Sequence, residues 1–167
     1  MPMNYLEIII CLIITALDAI IKIVVENNLV YISIIPNFFS LLKVRNYGVA
    51  FSFLENARWL IIALSVFIII FFNSLSKDMP ETTPKKIAFG IVYGGIFGNL
   101  LDRIFRGYVV DYLSFTIFNY DFPVFNLADI CIVVGIFLIF FLYSRKTSSK
   151  KIRKDLTYGS NRRKNSS

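Results

Sequence analysis

Four long apolar segments divide this chain, and polar or charged residues bound each of them. The segments run from about Tyr5 to Val25, Trp59 to Leu75, Ile87 to Leu101 and Val124 to Tyr143. About 20 residues at 1.5 Å each cross the ~30 Å hydrocarbon core of a bilayer as an α-helix. The first and fourth segments reach that length, and the third reaches it with flanking residues. The pattern predicts four membrane-spanning helices.

The composition indicates the same class of protein. Of the 167 residues, 56% are hydrophobic and 16% are aromatic, and the mean hydropathy is +0.65. These values are typical of an integral membrane protein and too apolar for a soluble domain of this size. We therefore expect an all-α membrane protein whose four-helix transmembrane bundle forms one domain over residues 1–144.

The C-terminal residues 145–167 have a different composition. They hold nine Lys and Arg residues against a single acid, Asp155, together with Ser, Thr and Asn. Such a segment is typical of a solvated, disordered tail. Attraction to anionic membrane lipid, at about 1 kcal/mol per basic residue near the surface, explains the charge. We do not expect nucleic acid to be a partner.

The distribution of Lys and Arg indicates the orientation of the spans. Three lysines lie between the second and third segments, and the tail holds nine basic residues. Because basic residues mark the cytoplasmic side, both termini should be cytoplasmic, with residues 26–58 and 104–122 outside. The first segment has no basic stretch before it and no small-residue cleavage site after it. We therefore expect a retained span rather than a cleaved signal peptide.

Four aspartates lie in or beside the apolar segments. An ionised Asp in hydrocarbon is costly, so an acid in such a position is a candidate functional residue. With this orientation, Asp18 lies about 10 Å below the outer surface, and Asp129 lies one to two turns into the fourth span. Asp102 ends the third span, and Asp111 follows in a short loop. All four should meet in one shallow layer near the outer face.

Two of the spans carry patterns that favour packing. Asp18 and Lys22 are four residues apart on one helical face, so they can form a structural ion pair that reduces the cost of burying either. The third span carries glycines at every fourth position, which permits close approach of another helix. These glycines are Gly90, Gly94 and Gly98.

Polar residues follow the glycines at the end of the third span. Asn99, Asp102 and Arg103 must form hydrogen bonds there, because unpartnered polar groups in an apolar layer are costly. We expect Asp102 to have a structural role and to pair with Arg103 or with a donor from a loop.

Asp111 and Asp129 differ from the other acids, because neither has a Lys or Arg three or four residues away. Asn126 lies on the same helical face as Asp129. Two carboxylates close together in a low-dielectric layer share one proton, so that one can act as general base toward water and the other as acid. A proton or cation site of a small transporter is the alternative.

The predicted outer loop contains the sequence VRNYGVAFSFL at residues 44–54. Its alternation predicts a short extended or β-like segment on the membrane surface. Asn46 could hydrogen-bond a peptide backbone, and Gly48 would permit close approach. An ordinary amphipathic loop is the alternative, and a Ser52–Lys43 nucleophile pair is less favoured.

The absence of histidine narrows the chemistry. Without His there is no Ser-His or Cys-His nucleophile pair and no His-ligated metal. The two cysteines, Cys11 and Cys131, lie among Ile, Leu and Val and are expected to be small buried hydrophobic residues. We therefore expect neither a metal nor a cofactor.

Four stretches together resemble the lipoprotein signal peptidases, the type II signal peptidases of bacteria. They follow the order found in that family and cover most of the chain outside the tail. The stretches are DAIIK at 18–22, RNYGVAFSFL at 45–54, GNLLDRIFRGYVVDYLSF at 98–115 and FNLADICIVVG at 125–135.

The resemblance implies an intramembrane aspartyl endopeptidase without a cofactor. It would remove the signal peptide from diacylglyceryl-modified prolipoproteins, cutting just before the lipidated cysteine. The catalytic pair would be Asp111 in VVDY and Asp129 in NLAD. Tyr112 stands where Phe is more usual. The resemblance places other residues at the family's supporting positions, which are Asp18, Lys22, Asn46, Asn99, Arg103 and Asn126.

The resemblance also implies a place and partners. The chain would be a multi-pass protein of the bacterial cytoplasmic membrane, with its active site near the outer face and membrane lipid around it. We expect a monomer, with the substrate's signal helix against the glycine-lined third span. A transporter is disfavoured because four spans are few and no inverted repeat is visible. A non-enzymatic assembly factor is disfavoured because it would not need unpaired buried acids.

Overall fold

The computed structural model describes the backbone of residues 3–48 and 57–164, and the side chains as far as Arg145. Helices and a small antiparallel sheet alternate along the chain. The elements are α1 (Tyr5–Asn28), β1 (Tyr31–Ile35), β2 (Phe39–Asn46), α2 (Arg58–Lys77), α3 (Thr83–Phe105), β3 (Val109–Ile117), β4 (Tyr120–Asp121) and α4 (Leu127–Lys164).

The four predicted spans are confirmed as helices. In the described part of the chain, four helical stretches are long and apolar enough to cross a membrane, namely Tyr5–Asn28, Arg58–Lys77, Thr83–Phe105 and Leu127–Arg145. Local signals fix where two of them begin. Asn4 and Glu7 form a reciprocal capping box at α1, and the Thr82 side chain caps α3. Each cap satisfies backbone N–H groups that would otherwise lack a partner.

Helix α3 is the centre of the bundle. In its 18-residue apolar stretch 67% of the residues are buried, compared with 11–22% in the corresponding stretches of the other spans. Its glycines explain why, because a Cβ added at Gly94 would lie 2.7 Å from the Cβ of Ile14 on α1. Gly90 and Gly98 also face α1, and Gly95 faces α4. The predicted packing role of the glycines is confirmed. Because α1 covers the face with Gly90, Gly94 and Gly98, a substrate helix against α3 would have to use another face, and that position stays a prediction.

We expect Gly95→Ala to destabilise the fold. An added Cβ would collide with the backbone carbonyl oxygen of Ala128, which cannot move without shifting α4. Overpacking of this kind costs about 1–3 kcal/mol. Thermal unfolding of the purified protein in detergent measures the effect. Ala63→Val, at an exposed position of α2, adds similar bulk and should leave the melting temperature unchanged.

The sheet is larger than the sequence predicted. Its strand order is β1-β2-β3-β4, and each neighbouring pair is antiparallel. The predicted extended segment over 44–54 is confirmed only at its start, because β2 ends at Asn46 and residues 49–54 lie outside the described residues.

The connection predicted as an outer loop over residues 104–122 contains two strands, and Asp111 lies in the first of them. Gly107, at φ +85°, ends α3 with a left-handed turn, and β3 begins two residues later. Asp111 lies in β3 opposite Val44 of β2. The signal for this strand is present in VVDYLSFTI, whose β-branched and aromatic residues favour a sheet. The strand position fixes the Asp111 backbone more firmly than a loop would.

The C-terminal tail continues α4, whose helical backbone extends to Lys164. The predicted disorder of the tail is therefore not confirmed. Lys, Arg and Leu are good helix formers, so a helix that leaves the bundle can continue through them. The division of the chain into residues 1–144 and 145–167 stays a prediction.

Candidate active site

The four aspartates come from four different elements and meet in one hydrogen-bonded network. Asp18 lies on α1, Asp102 on α3, Asp111 on β3 and Asp129 at the start of α4. Five further residues connect them. We call the whole set the polar cluster, and its members are Asp18, Lys22, Asn46, Asn99, Asp102, Arg103, Asp111, Asn126 and Asp129.

Lys22 connects α1 to the other members of the polar cluster. Its fully buried Nζ lies 2.7 Å from Asp18 Oδ2 and 3.1 Å from Asp102 Oδ2. It also donates to Asn99 Oδ1 at 2.9 Å. Asp18 in turn accepts a hydrogen bond from the backbone N–H of Ala128 at 3.0 Å. The predicted Asp18–Lys22 pair is confirmed, and it joins α1 to both α3 and α4.

The expected Asp102–Arg103 pair is not present. Asp102 instead pairs with Lys22 and with Arg106, whose Nη1 lies 3.2 Å from Asp102 Oδ1. It also accepts from the backbone N–H of Val110 at 3.3 Å, a donor in strand β3 rather than in the loop that was the alternative expectation. Helical spacing explains why Asp102 pairs with Arg106 rather than Arg103, because residues four apart share a face while adjacent residues do not.

Arg103 points to another side of the helix. Its guanidinium donates to the backbone oxygens of Asn99, at 3.2 Å, and of Gly48, at 3.0 Å. It is 9% exposed and lies within electrostatic range of Asp111 and Asp129. Arg103 therefore ties α3 to the chain just after β2 and places a positive charge beside the two acids.

Asp129 is held at the first turn of α4. Its Oδ1 accepts from Asn99 Nδ2 at 2.7 Å, and its Oδ2 accepts from the backbone N–H of Asn126 at 3.1 Å. Asn126 Oδ1 accepts from the backbone N–H of Asp129 at 3.0 Å. This reciprocal pair is a capping box, so Asn126 and Asp129 also begin the helix.

Asp111 is buried, at 2% exposure, between two side-chain amides. Asn46 Nδ2 donates to its Oδ2 at 2.8 Å, and Asn126 Nδ2 donates to its Oδ1 at 2.6 Å. Burial and, to a smaller extent, the negative charge of Asp129 raise the pKa of Asp111, whereas the two amides and the charge of Lys22 lower it; the net pKa is about 6. Asp111 therefore titrates close to neutral pH.

Asn126 connects the two acids directly. Its side-chain nitrogen binds Asp111, while its backbone N–H binds Asp129. It also donates to Asn99 Oδ1 at 3.1 Å. The structure thus brings together the two carboxylates that lack a Lys or Arg three or four residues away in the sequence.

Asn46 and Gly48 were expected to face a substrate peptide, but in the structure both contact residues of the polar cluster. Asn46 uses its amide on Asp111, and its Oδ1 accepts from the Gly48 N–H at 3.0 Å. In this structure it orients a carboxylate rather than facing outward for a peptide. Gly48 offers its carbonyl oxygen to Arg103, so both residues are connected to the polar cluster.

Sequence reasoning missed two contributors to this region. The Tyr112 hydroxyl accepts from the backbone N–H of Leu127 at 3.2 Å, and burial raises its pKa to about 12. Arg106 pairs with Asp102. The spacing of four residues could have revealed Arg106, whereas the Tyr112 contact joins β3 to α4 and has no local signal.

Comparison with known proteins identifies relatives over most of the chain. The profile of a family described as Signal peptidase (SPase) II matches residues 10–145. A lipoprotein signal peptidase of Symbiobacterium thermophilum is 38% identical over 139 residues, covering 81% of this chain and 91% of that protein. A lipoprotein signal peptidase of Vibrio parahaemolyticus is 40% identical over 144 residues, covering 80% and 85%.

A solved structure has the same architecture. It is described as a bacterial membrane enzyme and matches with a TM-score of 0.72 at 28% identity, covering 86% of this chain and 90% of that one. The resemblance drawn from four sequence stretches is confirmed. Because the profile and the relatives span most of the chain, this protein belongs to the signal peptidase II family of proteases.

Proposed function

We propose that this chain is an aspartyl endopeptidase that removes the signal peptide from diacylglyceryl-modified prolipoproteins, cutting just before the lipidated cysteine. The related proteins are named lipoprotein signal peptidases, which supports the substrate class. The observation that carries the proposal is the connection of Asp111 and Asp129 through Asn126. Two acids in this arrangement can share the proton transfers that peptide hydrolysis requires.

The surroundings of the two acids favour different roles. Asp111 is deeply buried, and its pKa is about 6, so it can hold the proton near neutral pH. Asp129 is less buried and accepts hydrogen bonds from Asn99 and from the backbone N–H of Asn126. We assign Asp129 as the general base and Asp111 as the general acid.

The reaction then needs no covalent intermediate. Asp129 takes a proton from water as the oxygen attacks the scissile carbonyl carbon, and Asp111 gives its proton to the carbonyl oxygen. The resulting gem-diol collapses when Asp111 takes back a hydroxyl proton and Asp129 delivers its proton to the leaving amine. Both carboxyls return to their starting states, as general acid–base catalysis requires.

The orientation is part of the same proposal. The lysines at the end of α2 and in the first turn of α3 favour a cytoplasmic position for that end of the bundle. The polar cluster and the sheet would then lie near the outer face of the bacterial cytoplasmic membrane, with both termini inside. We also propose that the protein works as a monomer.

Cleavage of a diacylated precursor by the purified protein in detergent tests this function. The protein should release the signal peptide without an ion gradient, and sequencing of the product should show that it begins at the lipidated cysteine. The same precursor without its diacylglyceryl group should be cut far more slowly. Cleavage elsewhere, or only in sealed vesicles with a gradient, would contradict the proposal.

The pH profile should respond to Asn46. The hydrogen bond from Asn46 to Asp111 stabilises the ionised carboxyl and lowers its pKa, so its removal raises that pKa further. In the Asn46→Ala variant, protonated Asp111 should persist to higher pH. The pH above which kcat/KM falls should therefore be higher in this variant, even if the maximal rate declines. Asn28→Ala, which removes an exposed amide from the end of α1, should not move it.

A further inference from the structure

A polar cavity lies at the end of the bundle remote from the polar cluster. Its volume is about 630 Å³, and it lies between the starts of α1 and α3 and the end of α2. Lys85, one of its lining residues, precedes Asn99 on α3 by about 21 Å of helix. We call it the end cavity. Its charged lining residues are Glu7, Lys77, Glu81, Lys85 and Lys86.

Two lysines of the end cavity, Lys77 and Lys86, form no ion pair in the described residues, although the charge of Lys86 acts on Glu81, which Lys85 already engages. Lys85 is buried and forms an ion pair with Glu81, and Glu7 accepts from the backbone N–H of Asn4 at the start of α1. In the described part of the chain, no ion pair engages Lys77 or Lys86. The end cavity therefore has an excess of positive charge available to an anion.

Tyr93 adds a hydrogen-bond donor to the end cavity. The residue is 2% exposed and lines the cavity. Tyr93 shares this lining with Lys77 and Lys86. A tyrosine hydroxyl can donate a hydrogen bond to a ligand oxygen, such as that of a phosphate group.

A second, apolar cavity of about 260 Å³ follows the seam between α1 and α3. We call it the seam groove. Gly94 packs on Ile14 and Gly98 on Asp18, so α1 and α3 run side by side. The groove extends roughly 20 Å from Ile8 to the level of Leu101, against about 15 Å for one leaflet of hydrocarbon. Its residues are Met3, Ile8, Cys11, Leu12, Thr15, Phe97 and Leu101.

The two cavities share Met3, which lines both of them. We propose that together they bind one anionic phospholipid, with its phosphate near Lys77, Lys86 and Tyr93 and one acyl chain in the seam groove. Basic pockets between membrane-spanning helices bind anionic head groups. The groove selects a phospholipid over a free phosphate, because it gives an acyl chain close van der Waals contact.

Binding of single-chain lipids to the full chain in detergent tests the proposal. The probes are oleoyl lysophosphatidylglycerol, oleoyl lysophosphatidylcholine and glycerophosphoglycerol, which lacks a chain, and calorimetry measures each affinity. The anionic lipid should bind most tightly. In the double variant Lys77→Gln/Lys86→Gln, the affinity for the anionic lipid should fall roughly 30-fold. This figure takes about 1 kcal/mol for each lysine, and each 1.4 kcal/mol corresponds to a tenfold change in affinity. Lys43→Gln, on the sheet, should leave the affinity unchanged.

A groove variant separates a lipid from a free phosphate ester. Leu12 is 63% exposed, so Leu12→Trp can fill the seam groove without disturbing the core. This variant should bind the anionic single-chain lipid little more tightly than glycerophosphoglycerol, while its melting temperature stays the same. Equal affinity for the anionic and choline lipids would overturn the proposal. Undiminished binding by the lysine variant, or equally tight binding of glycerophosphoglycerol to the wild type, would overturn it as well.

Discussion

Asp111→Asn and Asp129→Asn should each reduce cleavage of a diacylated precursor by roughly 10²–10⁴-fold, the range typical of removing a general acid or base. An amide of the same shape can neither take a proton from water nor give one to the carbonyl oxygen. The loss should appear in kcat, since neither substitution removes a large binding surface. Initial rates of signal-peptide release by purified protein measure it.

The folded state of these two variants should survive. Each Asn keeps one oxygen that can accept a hydrogen bond, from Asn126 or Asn46 in the first variant and from Asn99 in the second. Asp121→Asn is the matched control, because Asp121 is exposed on β4 and its carboxylate accepts a hydrogen bond from Thr116, outside the polar cluster. It should retain full activity. Normal turnover by either polar-cluster variant would remove that residue from the mechanism.

Lys22→Met should destabilise the protein by about 3–5 kcal/mol, the cost of removing one partner of a buried ion pair. Lys22 is fully buried and lies within ion-pair distance of both Asp18 and Asp102. Without it, Asp18 loses its cation, and Asn99 Oδ1 loses one of its two hydrogen-bond donors, Asn126 being the other. A lower melting temperature in detergent and slower cleavage should appear together, because Asn99 also holds Asp129.

A second substitution separates the charge from the packing. In Asp18→Asn/Lys22→Met the unpaired carboxylate is gone, and the new amide oxygen can still accept from the Ala128 N–H. Part of the stability should return, since neutral replacement of a buried ion pair is tolerated better than removal of one partner. Ser74→Met, at an exposed position of α2, is the control and should leave the melting temperature unchanged. An unchanged melting temperature for Lys22→Met would show that Lys22 does not support the bundle.

The features that follow from local patterns were predictable from the sequence. Apolar length defines the four spans, and the glycine spacing on α3 indicates its close packing. The Asp18–Lys22 pair follows from helical geometry alone. To predict that the four aspartates converge, one needs only the order and direction of the spans and the high cost of an isolated charge in lipid.

The features that depend on long-range contacts were not predictable in this way. Asn126 reaches Asp111 because β3 turns back beside the start of α4, and no spacing along the chain encodes that approach. Hydrophobic alternation does not identify the strand containing Asp111, because its four-residue buried start, Val109–Tyr112, lacks the pattern of a half-buried strand.

Infrared titration of the Asp111 carboxyl tests the central claim, that Asp111 and Asp129 act as an interacting pair. In wild-type protein a protonated carboxyl band should disappear with an apparent pKa of about 6 and should be absent from Asp111→Asn. In Asp129→Asn the same band should titrate at lower pH, because the neighbouring negative charge that favours protonation is gone. An Asp111 band whose titration is unaffected by the loss of Asp129 would contradict the account.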